Sequence, residues 1–160
     1  MLLRIVKAWL PVVAMCAIIF LFSQDANSGQ HSDEVLSWIL SLVGMNSHHW
    51  HRLLDAPFRK FAHIVVYFLL GLVTYRGFAM GSEKYSMPAG FRSFVFCAAY
   101  AATDEFHQSF IKGRGPSVHD VMLDSSAAAL ALFLLWLWKR SRTSGPRLTA
   151  SVHHQSSVAH

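Results

Sequence analysis

Residues 104–124, DEFHQSFIKGRGPSVHDVMLD, bring Asp104, Glu105, His107, Gln108, Arg114, Asp120 and Asp124 into one short stretch. A carboxylate beside a histidine suits general acid–base work near neutral pH, because the carboxylate orients the imidazole or shares its proton. Asp104 or Asp120 with His107 or His63 would make such a pair, and these four are the catalytic candidates. An arginine meets a phosphate with two parallel donors and a lysine with a point charge, so Arg114 and Lys60 read as a clamp for an anion. His63, Asp104, His107 and Asp120 are also ligand types that a divalent metal accepts. No HExxH or similarly diagnostic spacing joins them, so no metal ligand is assigned and the cofactor stays open.

Helical spacing sorts these residues onto faces. Lys60, His63 and Tyr67 stand at i, i+3 and i+7, one face. Tyr100, Asp104, His107 and Gln108 share another, from which Glu105 and Phe106 turn away. Asp120, Asp124, Ala127, Ala128 and Ala131 line a third, whose small residues let another helix come close. Structural roles compete with the chemical ones. Ser117-x-x-Asp120 resembles a capping box, Asp104 with Lys60 or Arg114 is a plausible ion pair between helices, and Gln108 and Tyr100 can hydrogen-bond across helices.

The polar stretch sits between apolar runs, 94–103 and 127–138, that have the character of membrane spans. Ionisable groups cost roughly 2.5–3.5 kcal/mol each at mid-bilayer and less near the interface, so a cluster of them marks a functional site. Composition agrees: 53% of residues are hydrophobic and 14% charged, against about 25% charged in soluble proteins. The net charge of +5 falls on residues that flank apolar runs, not on one stripe, which argues for membrane topology and against nucleic acid. Cys16 and Cys97 each lie mid-run, where a thiol behaves as a small hydrophobe, and no disulfide framework is present.

The elements that position the site are expected to be all α: a four-helix transmembrane bundle in residues 1–140, followed by a disordered basic tail over 141–160. The first span covers 5–22, with Pro11 in its first turns; a cleaved secretory signal ending near 26–28 is the rival reading. The connection 23–57 holds a short interfacial helix, capped by Ser32 and apolar along Val35, Leu36, Ile39, Leu40 and Val43. NSHHWH at 46–51 reads as a solvated loop with Trp50 as interfacial anchor, in preference to a metal cluster. The second span, 58–78, is entered through Asp55 as cap and Pro57 as first-turn proline. The third covers 91–110, a tight loop covers 111–116, and the fourth covers 118–138 behind Ser117 as cap.

Four spans put both termini on one side. Arg4, Lys7, Arg76, Lys84, Arg92, Lys139, Arg140, Arg142 and Arg147 lie there with a single acid, Glu83. The other side holds five basic residues, Arg52, Arg59, Lys60, Lys112 and Arg114, and the remaining acids. The positive-inside rule then makes both termini cytoplasmic and the polar mouth outward. The second and fourth helices begin at that mouth, and helix N-termini favour anions such as phosphate.

At these residues the chain resembles the VanZ-like family, small multi-span membrane proteins named for a teicoplanin-resistance determinant. The matching motifs are FSQ at 22–24, FRKFAHIVVYFLLG at 58–71 and DEFHQSFIKGRGPSVHD at 104–120. The family often has an acid where Val66 stands, usually Asn where Asp124 stands and often Gly where Ala127 stands. The resemblance implies a multi-pass protein of the bacterial plasma membrane, linked in some members to glycopeptide tolerance, and carries no settled reaction. Ser23, Gln24, Lys60, Tyr67, Glu105, Gln108, Arg114 and Asp124 form the expected substrate-binding set.

Two functions fit these residues. One is an enzyme acting by acid–base chemistry on a phosphorylated or lipid-linked envelope substrate. The other is a non-catalytic binder of a lipid headgroup or lipoglycopeptide, or a partner of envelope machinery. Membrane lipid or a lipid-linked precursor is the expected partner of either. Proton-coupled transport fits less well, since the inner halves of the spans carry almost no ionisable group.

Overall fold

Leu2–Gln24 forms helix α1, apolar on nearly every side. Val12, Ile19 and Ser23 are buried, spaced seven and four apart on one face, while Leu3, Leu10, Val13 and Leu21 point outward. The computed structural model describes residues 1–24, 37–42, 48–80, 82–110 and 117–143, with backbone alone at 22, 24, 48–56, 59 and 143. Its other long helices are α2 (His48–Ala79), α3 (Met87–Gln108) and α4 (Val118–Thr143). Every regular element among the described residues is helical. Over Leu2–Leu21, Lys60–Ala79 and Val118–Arg142 the chain is long and apolar enough to cross a membrane. Helix α3 has comparable length at 22 residues, but its buried face is small and polar: Ser93, Cys97, Ala101, Asp104, Glu105 and Gln108.

Contacts at the two ends fix the directions. The start of α1 meets the end of α2, where Trp9 packs edge-on against Phe78 at 4.9 Å between ring centroids. The end of α1 meets the end of α3: Phe20 packs against His107 at 5.1 Å, and the Tyr100 hydroxyl donates to the Cys16 carbonyl at 2.6 Å. Helices α1 and α3 therefore run together, and α2 and α4 run together the other way. Tyr67, Leu70, Cys97, Ala101, Ala127 and Ala128 fill the space between, with Val12 and Ile19 closing it from α1. Since lipid tails are as apolar as these side chains, close packing and not water exclusion holds the helices together. Gly71 shows how close: a Cβ there would lie 3.1 Å from the Ala128 carbonyl oxygen and 3.2 Å from its Cα.

The opposite end is closed by a polar knot. Met80 ends α2 in the left-handed region at φ 45°. The Ser86 N–H donates to the Tyr75 hydroxyl at 2.9 Å, Tyr75 stacks on Tyr85, and Lys139 lies over the Tyr75 ring while donating to the Ser82 carbonyl at 2.6 Å. Arg140 and Arg142 sit over Trp136 and Trp138, one turn behind each.

Several boundaries differ from the sequence expectation. Helix α2 starts at His48, so Pro57 lies inside it and not in a first turn, and the NSHHWH segment is helical from His48 onward and not a loop. The second span therefore does not bring a helix N-terminus, with its free N–H groups, to the polar mouth. Helix α3 starts earlier than expected because Ser86 caps it and a proline occupies its first turn. Helix α4 runs on to Thr143, three residues into the segment assigned to the tail. Of the interfacial helix, 37–42 is helical with Leu40 buried, but Ile39 and Leu42 of that stretch are exposed. Ser32, Asp33, Glu34, Val35, Leu36 and Val43 lie outside the described residues, as do 144–160.

Candidate functional site

The end of α1, the Lys60 end of the apolar run in α2, the end of α3 and the start of α4 meet at one end of the molecule. On α2 and α4, which run in parallel, side chains one turn apart form two rungs. The outer rung is Lys60 Nζ to Asp120 Oδ1 at 3.6 Å, with the lysine side chain about half exposed. The inner rung is His63 Nδ1 to Asp124 Oδ2 at 3.4 Å. Asp124 is 1% exposed. An ionised Asp124 only accepts, and the ring then donates from Nδ1. That tautomer leaves Nε2 as the nitrogen with a lone pair.

Tyr67 stacks almost parallel to His63, 6.4 Å between centroids and 12° between planes. It is wholly buried, and its hydroxyl has no hydrogen-bond partner among the described residues. It lies within electrostatic reach of Asp104 and Asp124. The Asp124 Oδ1 is likewise buried without a hydrogen-bond partner among the described residues. Two buried polar atoms in this state, on neighbouring side chains, are unusual in a folded protein.

Helix α3 adds a second layer. Asp104 Oδ2 accepts from Gln108 Nε2 at 3.0 Å, both side chains buried. Glu105, expected to turn away, is 6% exposed and points to α4, where its Oε2 accepts from the Ser117 N–H at 2.9 Å. Phe106 does turn outward. The capping box is therefore split between helices. Ser117 Oγ accepts from the Asp120 N–H at 3.2 Å, as such a box requires. The reciprocal bond comes from Glu105 and not from Asp120, so capping does not account for the Asp120 side chain, which faces Lys60 and, at 3.7 Å, His119. Glu105 also occupies the N-terminus of α4, where an anion was expected to bind.

The remaining expectations divide. Ser23 is buried at the end of α1 on the same end of the molecule. Gln24 closes that helix, its side chain outside the described residues, as are Lys112 and Arg114. His107 packs on Phe20 and makes no ion pair among the described residues. The expected pairing of Asp104 or Asp120 with His63 is replaced by Asp124, which had been placed in the binding set. A signal for this was present: Asp124 lies on the face of Ala127, Ala128 and Ala131, and His63 one turn inward of Lys60. Glu105 and Asp124 lie within electrostatic range of each other and of Asp104 and Asp120. Among the described residues no three His, Cys, Asp or Glu side chains converge as a metal site.

These features define a helical membrane protein in which Asp104, Glu105, Asp120 and Asp124 are collected with His63 at one end of the helices. The chain belongs to the VanZ/LLP1 family, whose sequence model matches residues 8–139, all four long helices in whole or large part. No curated protein and no solved structure matches it.

Proposed function

We propose that this protein is a multi-pass protein of the bacterial plasma membrane that acts by acid–base chemistry on a lipid-linked envelope substrate, at a site facing away from the cytoplasm. The observation that carries the reading is the His63–Asp124 pair with Tyr67 buried beside it. Asp124 holds the imidazole by Nδ1 and stabilises its charge, while Nε2 takes a proton from a substrate hydroxyl or returns one to a leaving group. Lys60, at the exposed rim, meets the phosphate of the substrate, a role that the sequence also assigns to Arg114. Helix α3 is the remaining span, its buried acids shielded from lipid by the other helices. The outward orientation is supported by charge: Arg76, Lys84, Arg92 and Lys139 lie at the end opposite the carboxylates. A link to glycopeptide tolerance, including teicoplanin, follows from what the family resemblance implies.

A second reading, a non-catalytic binder of a headgroup or lipoglycopeptide, is favoured by the Asp104–Gln108 and Glu105–Ser117 bonds, which hold two of the acids in structural roles. Mass spectrometry of lipid-linked precursors separates the two. Cells carrying the wild type, Asp124→Asn or His63→Gln are compared, each checked for insertion. A species formed or consumed only by the wild type supports chemistry. An unchanged profile with altered glycopeptide tolerance supports binding. Unchanged profile and tolerance across all three strains rejects the site.

A further inference from the structure

Among the described residues, carboxylates outnumber cations at this end. Glu105 and Asp124 each lie within electrostatic range of Asp104 and Asp120, and the described basic groups facing these acids are Lys60 at the rim, His63, and His119 beside Asp120. Burying one carboxylate costs several kcal/mol unless a positive group or good donors accompany it. Asp124 has His63 on one oxygen and no hydrogen-bond partner among the described residues on the other. The Tyr67 hydroxyl beside it is wholly buried and equally without one. The groups gathered here are carboxylate acceptors and a hydroxyl that accepts as readily as it donates. A group that satisfies all of these brings positive charge and several N–H donors on a compact centre.

We propose that the inner part of this mouth binds a primary ammonium group, with Asp124 Oδ1 and the Tyr67 hydroxyl as its buried acceptors and Asp104 supplying further negative charge. This rests on the same site being the working one and deepens the substrate assignment: an envelope molecule with a phosphate for the rim at Lys60 and an amine for the interior. The amine is then held beside the His63 ring, one helical turn below the phosphate.

The ammonium can come from an aminolipid or from a soluble amino sugar, and paired probes distinguish these sources. Full-length protein in phosphatidylcholine nanodiscs is titrated with phosphatidylethanolamine, and separately with glucosamine and N-acetylglucosamine. Binding is read by native mass spectrometry for the lipid and by calorimetry for the sugars. Trimethylation keeps the charge but removes the donors, and acetylation removes the charge. Losing hydrogen bonds to a charged group should therefore weaken binding about tenfold or more in either pair. A preference for phosphatidylethanolamine over phosphatidylcholine identifies a lipid source, and a preference for glucosamine over its acetylated form a soluble one. Asp124→Asn should abolish the preference, and Tyr67→Phe should reduce it while keeping the ring. Equal binding within both pairs, or a preference untouched by Asp124→Asn and Tyr67→Phe, overturns the proposal. If the preference holds while lipid-linked precursors are unchanged by the protein, the acid–base reading fails alone. If precursors change but no preference exists, the ammonium assignment fails alone.

Discussion

His63 Nδ1 lies 3.4 Å from Asp124 Oδ2, a contact between parallel helices separated by 61 residues of chain. Neither residue is explained by packing alone: Asp124 occupies a position in an alanine-lined face where a small apolar residue would seal the contact with α2. If the two act as one acid–base unit, His63→Gln and Asp124→Asn should each lower turnover of a lipid-linked substrate by about 10²–10⁴-fold, the usual range for a positioned acid or base. The double variant should lose little more than either single one, because members of a unit are not additive. Precursor turnover in membranes carrying equal amounts of each protein measures this, and additive losses would separate the two residues.

Lys60 offers a test of rim against scaffold. Its pair with Asp120 is half exposed on the lysine side, so Lys60→Ala should change thermal stability by about 0–1 kcal/mol. Substrate handling should fall much further if the lysine meets a phosphate. A loss of function matched by an equal loss of folded protein would make Lys60 a structural residue.

Glu105 should behave in the opposite way. Glu105→Ala leaves the Ser117 N–H without its acceptor and should destabilise the protein by about 1–3 kcal/mol. Glu105→Gln retains an acceptor oxygen and should cost less, and Ser117→Ala should cost about 1 kcal/mol through the lost cap. Melting of purified protein in one detergent ranks the three, and Glu105→Ala at wild-type stability would refute the shared cap.

The two glycines of α2 that face other helices should separate cleanly. Gly71→Ala pushes a methyl group against the backbone of Ala128 and should cost about 1–3 kcal/mol. Gly77→Ala meets only the Trp9 ring at 3.4 Å, ordinary contact, and should be neutral or better because alanine favours the helix. The same melting assay decides, and equal tolerance at both positions would contradict the close approach of α2 to α4 at Gly71 and Ala128.

What was legible in the sequence follows from what periodicity can carry. The all-helical class and the shared face of Lys60, His63 and Tyr67 were readable because each depends on spacing within one helix. The start of α2 was not: Pro57 looks like an opening residue, yet here the helix continues nine residues upstream of it. Partners across helices were also hidden. Asp120 and Asp124 are one turn apart, and only the register of α4 on α2 decides which of them meets Lys60 and which meets His63. Glu105 was misassigned for a similar reason. It leaves the face of Asp104 by about 100° of rotation, the step per residue in an α-helix, but α4 lies on that side too.

The orientation of the carboxylate end is tested most directly by labelling single cysteines in whole cells, with Cys16 and Cys97 replaced by alanine. Phe110→Cys, at an exposed position just beyond α3, reports on the polar end, and Lys84→Cys on the opposite one. With the site facing outward, a membrane-impermeant maleimide should label Phe110→Cys in intact cells and Lys84→Cys only after permeabilisation. Labelling of Lys84→Cys in intact cells, with Phe110→Cys protected until the membrane is opened, would contradict an outward-facing acid–base site.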